Sequence, residues 1–285
     1  WPFGLRHLSA PLRYGVPTVP VAVLDGTASL FDRYFLDKHV SLAQIGLYNI
    51  GLQFGGAFNL FNVVMKTSWF PFLYRSVAGR EDGPQTLGLL SVYYLAVLAV
   101  PALAIALLAK ELIVLFGDER YFGIYALVPW FVLVFYIQSI AAAMGRGMDL
   151  SKRMALLPLV PIASIAASLA AMATLVPQYG VPGAIAALLI AAGVRIVVQV
   201  GLSYLAYPRP LHLGKLAMLW LIAGATFAIG AHVQTGHVLA DAALKLVTVA
   251  AGALLIAWRI FGGQVLRTLA RGRLPQSTKD DHAAQ

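Results

Sequence analysis

Residues 95–109 read LAVLAVPALAIALLA. A strand of a membrane barrel alternates apolar and polar side chains over about ten residues, and this run has no polar position in either a two-residue or a helical period. It reads as a helix that is apolar all round and lies in hydrocarbon. Outward from it, charges, Gly and Pro divide the chain into eight stretches: 14–36, 46–66, 87–109, 122–143, 154–176, 181–207, 213–233 and 240–262. Each is close to the roughly 20 apolar residues that a helix needs to cross a bilayer core of about 30 Å. Composition agrees: of 285 residues 60% are hydrophobic and 12% charged, with a mean hydropathy of +0.78. A soluble domain carries about twice that share of charge. The expectation is an all-α, polytopic membrane protein with about eight transmembrane helices.

The formal net charge of +9 would ordinarily raise nucleic acid as a partner, but no basic run interleaved with aromatics occurs in the hydrophobic body. Instead the charges sort by side. With the N-terminus inside, the cytoplasmic segments hold fourteen of the 21 Lys and Arg residues, among them Arg75, Arg80, Arg146, Arg209 and Lys215. The opposite side holds four, Lys38, Lys110, Arg120 and Lys245, and three more, Arg33, Lys66 and Arg195, fall within spans. Cytoplasmic loops carry such an excess, so both ends are expected in the cytoplasm. No loop is long enough for a folded extramembrane domain. Residues 1–13 read as a juxtamembrane segment and 263–285 as a basic cytoplasmic tail, either solvated or resting on anionic lipid. The chain opens on Trp1 without a leader pattern, and the expectation is a piece of a longer or processed protein.

Chemistry is narrowed by what the chain lacks. Without cysteine there is no thiolate metal site or Cys nucleophile, and His232 and His237 do not share a helical face. No HExxH, GxSxG, Walker loop or DxD pair occurs, so no cofactor, metal or enzymatic activity is expected. Glu111, Asp118 and Glu119 read as interfacial, and the last two spans as lipid-facing. Prolines 17, 20, 101, 129, 158 and 161 fall in spans, and Gly51 and Gly55 form a small-xxx-small pair suited to close helix contact.

An ionised side chain near mid-bilayer costs about 2.5–3.5 kcal/mol on insertion scales and is a functional candidate by default. Asp25 is central in the first span, and Thr18, Asp25, Ser29 and Asp32 fall within about 60° of one another at helical pitch, with Arg33 at the edge of the arc. Such a stripe either lines a pathway or pairs with a cation inside the bundle. The second span carries Asn49, Gln53, Asn59, Asn62 and Lys66 on one half of its circumference. Amides can join helices and Lys66 can snorkel to the surface, but beside the first stripe they point to a shared aqueous cavity. Arg195, Gln199 and Ser203 make a third stripe, and Arg195 has three open roles: a pair with Asp25, a fixed charge, or a contact to an anionic ligand.

The stretch from 12 to 36, LRYGVPTVPVAVLDGTASLFDRYFL, with IGLYNI at 45–50, WFPFLY at 69–74 and LFG at 115–117, resembles the second half of bacterial polysaccharide and O-antigen flippases of the multidrug/oligosaccharidyl-lipid/polysaccharide exporter superfamily. The matching segments lie between residues 12 and 139, and the rest is similar in hydropathy alone. The resemblance implies a six-helix transporter lobe over 14–207, an extra C-terminal helix pair over 208–262, and a first lobe preceding this chain. It implies translocation of a polyprenyl-pyrophosphate-linked oligosaccharide across the inner membrane by alternating access, for O-antigen, capsule or exopolysaccharide assembly. Glycan polymerase and chain-length proteins would then be partners.

On that logic Arg33, Lys66 and Arg195, with Gln53, Asn59 and Asn62, are expected to bind pyrophosphate or sugar, and Asp25 and Asp32 to couple an ion. Sodium sites in relatives use carboxylates on neighbouring helices of the second lobe. Spans five and six here contain no acid, which brings proton coupling through Asp25 forward as an alternative. A cation-coupled drug antiporter of the same superfamily would want an acidic, aromatic cavity, and three basic candidates argue against it. A polysaccharide polymerase or ligase would carry a large periplasmic loop, which is lacking between the spans. A membrane scaffold would leave Asp25 at mid-bilayer unexplained.

Overall fold

The computed structural model describes residues 15–262 apart from 17, 117–122 and 152–153, together with the side chains of those residues except 28, 29 and 116. The expectations placed on 1–13, on the tail 263–285, and on Arg120, Asp118 and Glu119 lie outside the described residues. Eight long helices follow one another: α1 (Thr18–His39), α2 (Leu42–Val77), α3 (Gly83–Phe116), α4 (Val128–Met144), α5 (Leu159–Tyr179), α6 (Val181–Ala206), α7 (Leu213–Ala231) and α8 (Val238–Ile256). The last continues into a π-helical turn at Ala257–Phe261. No strand occurs among the described residues. Six of the helices, α3 to α8, are long and apolar enough to cross a membrane, so the chain is an all-α, multi-pass membrane protein.

The expected count of about eight is matched by eight long helices, of which six are long and apolar enough to cross a membrane; the polar stripes are the physical reason α1 and α2 are not among those six. Helix α1 carries Asp25, Asp32 and Arg33 near its middle, and the apolar run of α2 is interrupted by Gln44, Asn49, Gln53, Asn59 and Asn62. Both are long helices with one face too polar for lipid.

The turn between them is set locally. Ser41 caps α2 by accepting from the Gln44 backbone N–H at 3.4 Å, while the Gln44 side chain accepts from the Ser41 N–H at 3.2 Å. Prolines are used mostly as starters: Pro20 and Pro129 stand in the first turns of α1 and α4, Pro158 precedes α5 and Pro161 lies in its first turn. There a missing N–H costs nothing, so these prolines, expected within spans, stand at helix starts. Pro71 and Pro101 remain inside α2 and α3.

Helix α3 is the spine. Its residues Val92, Tyr94, Leu95 and Leu98 are fully buried, and they meet Phe131 of α4 and Phe58 of α2 in one core. Helix α4 lies against α2, α3 and α6, α5 and α6 form a close hairpin, and α1 docks chiefly on α5. In lipid, where hydrophobic association between helices is weak, fit decides such contacts. Gly51 and Gly55 show the fit: a Cβ at either position would approach the ring of Phe131 or Phe135 closer than 3.0 Å. The α5–α6 turn uses Gly180 at φ +59°, a left-handed conformation suited to glycine.

The expectation that the last two spans simply face lipid is corrected as well. Their outer faces are exposed, with Leu221, Val247 and Leu254 all bare, but their inner faces pack along α3. Lys245 of α8 donates to Glu111 of α3 at 2.5 Å, and the two side chains are only 6% and 4% exposed. Glu111 is therefore interior and not interfacial. At the other end Phe261 stacks on Tyr93 with ring centroids 4.6 Å apart, so the helix pair is fastened to the spine twice.

A buried ion pair resists the loss of one partner more than the loss of both. Lys245→Ala should cost about 3–5 kcal/mol because Glu111 is left charged and alone. The double variant Glu111→Leu/Lys245→Met should recover most of that loss, as read by thermal unfolding in lipid nanodiscs.

Candidate functional site

Helix α2 presents a column at three- and four-residue spacing, Asn59, Asn62, Lys66, Phe70 and Tyr74, which helical pitch places on one face. Its first half is tied into the core. Asn62 is buried, donates to Asn59 Oδ1 at 3.3 Å and accepts from the Tyr94 hydroxyl of α3 at 2.5 Å. Its second half holds residues that follow α4: the Arg146 guanidinium lies 3.9 Å from the centre of the Phe70 ring, and the Tyr74 hydroxyl donates to Asp149 at 2.6 Å. Arg146 itself donates to Asp149 at 2.8 Å and to the Ala142 carbonyl at 3.0 Å.

Across from this column, Arg195 of α6 meets Asp25 of α1 through two parallel bonds of 2.9 and 2.8 Å. This is the fork geometry in which guanidinium and carboxylate pair best. Nearer the α1–α2 turn, Asp32 accepts from the buried Tyr48 hydroxyl at 3.4 Å. These groups line one cavity of about 610 Å³ between α1, α2, α4, α5 and α6. Gln138 and Gln199 add amides to its wall.

Of the residues expected from sequence, Asp25, Asp32, Asn59, Asn62, Lys66 and Arg195 come together in this cavity. Arg33 and Gln53 do not line it, and both side chains are exposed. The three roles left open for Arg195 reduce to the pair with Asp25 in this state. Of the first stripe, the Ser29 side chain lies outside the described residues. Arg146, Asp149 and Gln138 were not singled out by sequence. Arg146 reads there as an orientation charge, and the signal that could have placed it is the Arg146/Asp149 spacing of three beside the aromatic column of 69–74.

Charge is balanced in number, with Asp25, Asp32 and Asp149 against Lys66, Arg146 and Arg195. It is not balanced in place. Two carboxylates are committed to guanidinium groups, Asp32 stands toward the α1–α2 turn, and Lys66 has no hydrogen-bond or ion-pair partner among the described residues. Among the described residues no group of three His, Cys, Asp or Glu comes together to hold a metal ion.

The segment holding Arg146 is itself held from below. Arg209, in the link between α6 and α7, is buried, donates to the Ser203 hydroxyl at 3.1 Å and also donates to the Met144 carbonyl at the end of α4. Burial pushes its guanidinium pKa down from the ordinary value. Ser203 accepts in turn from the Gly147 N–H at 2.9 Å, and a Cβ on Gly147 would collide with Arg209 and Ser203. Arg209 and Ser203 thus satisfy backbone groups that the end of α4 leaves orphaned.

Comparison of this chain with family models, characterised proteins and solved structures finds no match.

Ser203→Ala should leave the buried Gly147 N–H unsatisfied and cost about 1–3 kcal/mol. The expected signs are a lower Tm and faster amide hydrogen exchange over residues 145–151, with exchange in α3 unchanged.

Proposed function

We propose that the protein translocates a polyprenyl-pyrophosphate-linked oligosaccharide across the bacterial inner membrane by alternating access, with both termini in the cytoplasm. The observation that carries this reading is the polar cavity of about 610 Å³ within a bundle of membrane-crossing helices, lined by charges of both signs and four amides. A polar, charged chamber at membrane depth is kept where something polar must pass or bind. Its volume suits one compact ligand group, in this reading the diphosphate and its first sugar, while the lipid chain stays in the bilayer. A first lobe supplied by the rest of a longer protein would form the facing wall. Glycan polymerase and chain-length proteins are the partners this role would bring.

In this reading the Asp25–Arg195 pair is part of the moving wall, since it joins α1 to α6 through side chains alone. Asp25 is then the coupling group, since its carboxylate is what holds Arg195. Asp32, tied to Tyr48 near the α1–α2 turn, is a second candidate for coupling. The basic side chains face the anionic part of the substrate.

The test is reconstitution of the full-length protein in proteoliposomes and measurement of transbilayer movement of a polyprenyl-pyrophosphate oligosaccharide. Asp25→Asn and Arg195→Gln are each expected to slow movement at least tenfold. Wild-type rates in both would remove the cavity from the transport route.

A further inference from the structure

We propose that Arg146 and Lys66 together form a phosphoryl-anion binding subsite at the end of the cavity away from the α1–α2 turn, and that Arg195 is not part of it in this state. The inference deepens the transport reading and rests on it for the source of the anion, but the site itself is argued from geometry.

Lys66 and Phe70 are four residues apart on α2 and therefore adjacent on one helical face, with Cβ atoms about 5–6 Å apart. The Arg146 guanidinium lies 3.9 Å from the Phe70 ring centre, which brings it beside the Lys66 side chain. Both line the same cavity, and Lys66 sits in the positive fields of Arg146 and Arg195. Two cations lining one end of a chamber repel each other unless an anion lies between them.

Arg146 is preorganised. Its Nε is tied to Ala142, its Nη1 to Asp149, and its plane rests on Phe70. No hydrogen bond from Nη2 is found among the described residues. Asp149 is fixed in turn by Tyr74 at 2.6 Å. A planar guanidinium fixed on one edge and open on the other suits a phosphoryl oxygen, and a mobile ammonium beside it supplies the second contact. Lys66 has the matching property, a half-buried ammonium with no partner among the described residues. Arg195 differs because both of its terminal nitrogens are occupied by Asp25. The nearby amides of Asn59, Gln138 and Gln199 line the same chamber, where they can bind neutral hydroxyls.

The experiment uses full-length protein in lipid nanodiscs and inorganic pyrophosphate as probe, followed by isothermal titration. Wild type is expected to bind saturably, Arg146→Ala and Lys66→Gln each to weaken binding at least tenfold, and Arg75→Ala, on the exposed face at the end of α2, to bind as wild type. Lys66→Gln strands no partner, so an unchanged Tm is expected and separates lost binding from lost folding. Wild-type affinity in folded Lys66→Gln and Arg146→Ala would overturn the site, as would a loss confined to Arg195→Gln. Polyprenyl pyrophosphate in the nanodisc is expected to compete with the probe. Binding of inorganic pyrophosphate without that competition would keep the subsite, assign it to a soluble phosphate ester, and count against the lipid-linked substrate.

Discussion

A carboxylate and a guanidinium facing each other inside the helix bundle are the interaction on which the rest of this structure depends. Alone, either would cost about 2.5–3.5 kcal/mol to place at the centre of a bilayer, and α1 could not lie in the bundle with Asp25 aimed at lipid. Paired by two bonds of 2.9 and 2.8 Å, they become one dipolar unit that a partly wet chamber can hold. The pair fixes which face of α1 turns inward, and that face brings Asp32 toward Tyr48. The polar half of α2 then has a polar neighbour, so its column from Asn59 to Tyr74 can line a cavity. Because each polar stripe is sheltered by the others, removing one exposes the rest to hydrocarbon.

The apolar architecture frames this chamber and leaves it room. Helix α3 is packed on several sides, and the α7–α8 pair is fastened to it by the Glu111–Lys245 ion pair and the Tyr93–Phe261 stack. The cavity wall contributed by α4 is anchored differently, through Phe131 and Phe135 seated over Gly51 and Gly55 and through Arg209 at its end. Arg209 belongs to the link that leads into α7, so the same residue touches the segment carrying Arg146 and the start of the C-terminal pair. A displacement of that pair would therefore reach Arg146 through one side chain and its bonds to the Met144 carbonyl and the Ser203 hydroxyl.

Much of this was legible in the chain. The run at 95–109 identifies a membrane helix, the periodicity of Asp25 and Asp32 identifies an inward face, and six of eight nominated site residues line one cavity. The failures share a cause. Arg146, Arg209 and Lys245 read as solvated charges because counting basic residues by side treats every Lys and Arg as solvated, whereas the Phe70 ring, the Met144 carbonyl and Glu111 that hold them lie far from them in sequence. A buried cation is recognised by its partner, and partners at long range do not show in hydropathy. Arg33 and Gln53 fall outside this cavity for a different reason. Each lies at the edge of a polar arc, and helical pitch alone does not say where the edge of a cavity falls.

The placement of charge along the cavity gives the chamber a direction. Asp32 stands toward the α1–α2 turn, the neutralised Asp25–Arg195 pair crosses the middle, and Lys66 with Arg146 and Asp149 occupies the far end. In a low-dielectric surround such an arrangement acts over the whole length of the chamber, and in the proposed function it would draw an anion to the Lys66 end and oppose its advance toward Asp32. In the proposed transport cycle the middle pair is then the decisive step, because an anion moving past it competes with Asp25 for the same two guanidinium nitrogens. While Asp25 holds Arg195 the two carriers of negative charge exclude each other there, and when the pair opens Arg195 is released to the anion. In the proposed cycle, opening of the pair and passage of the anion would thus be favoured together, which is the linkage that coupled transport requires.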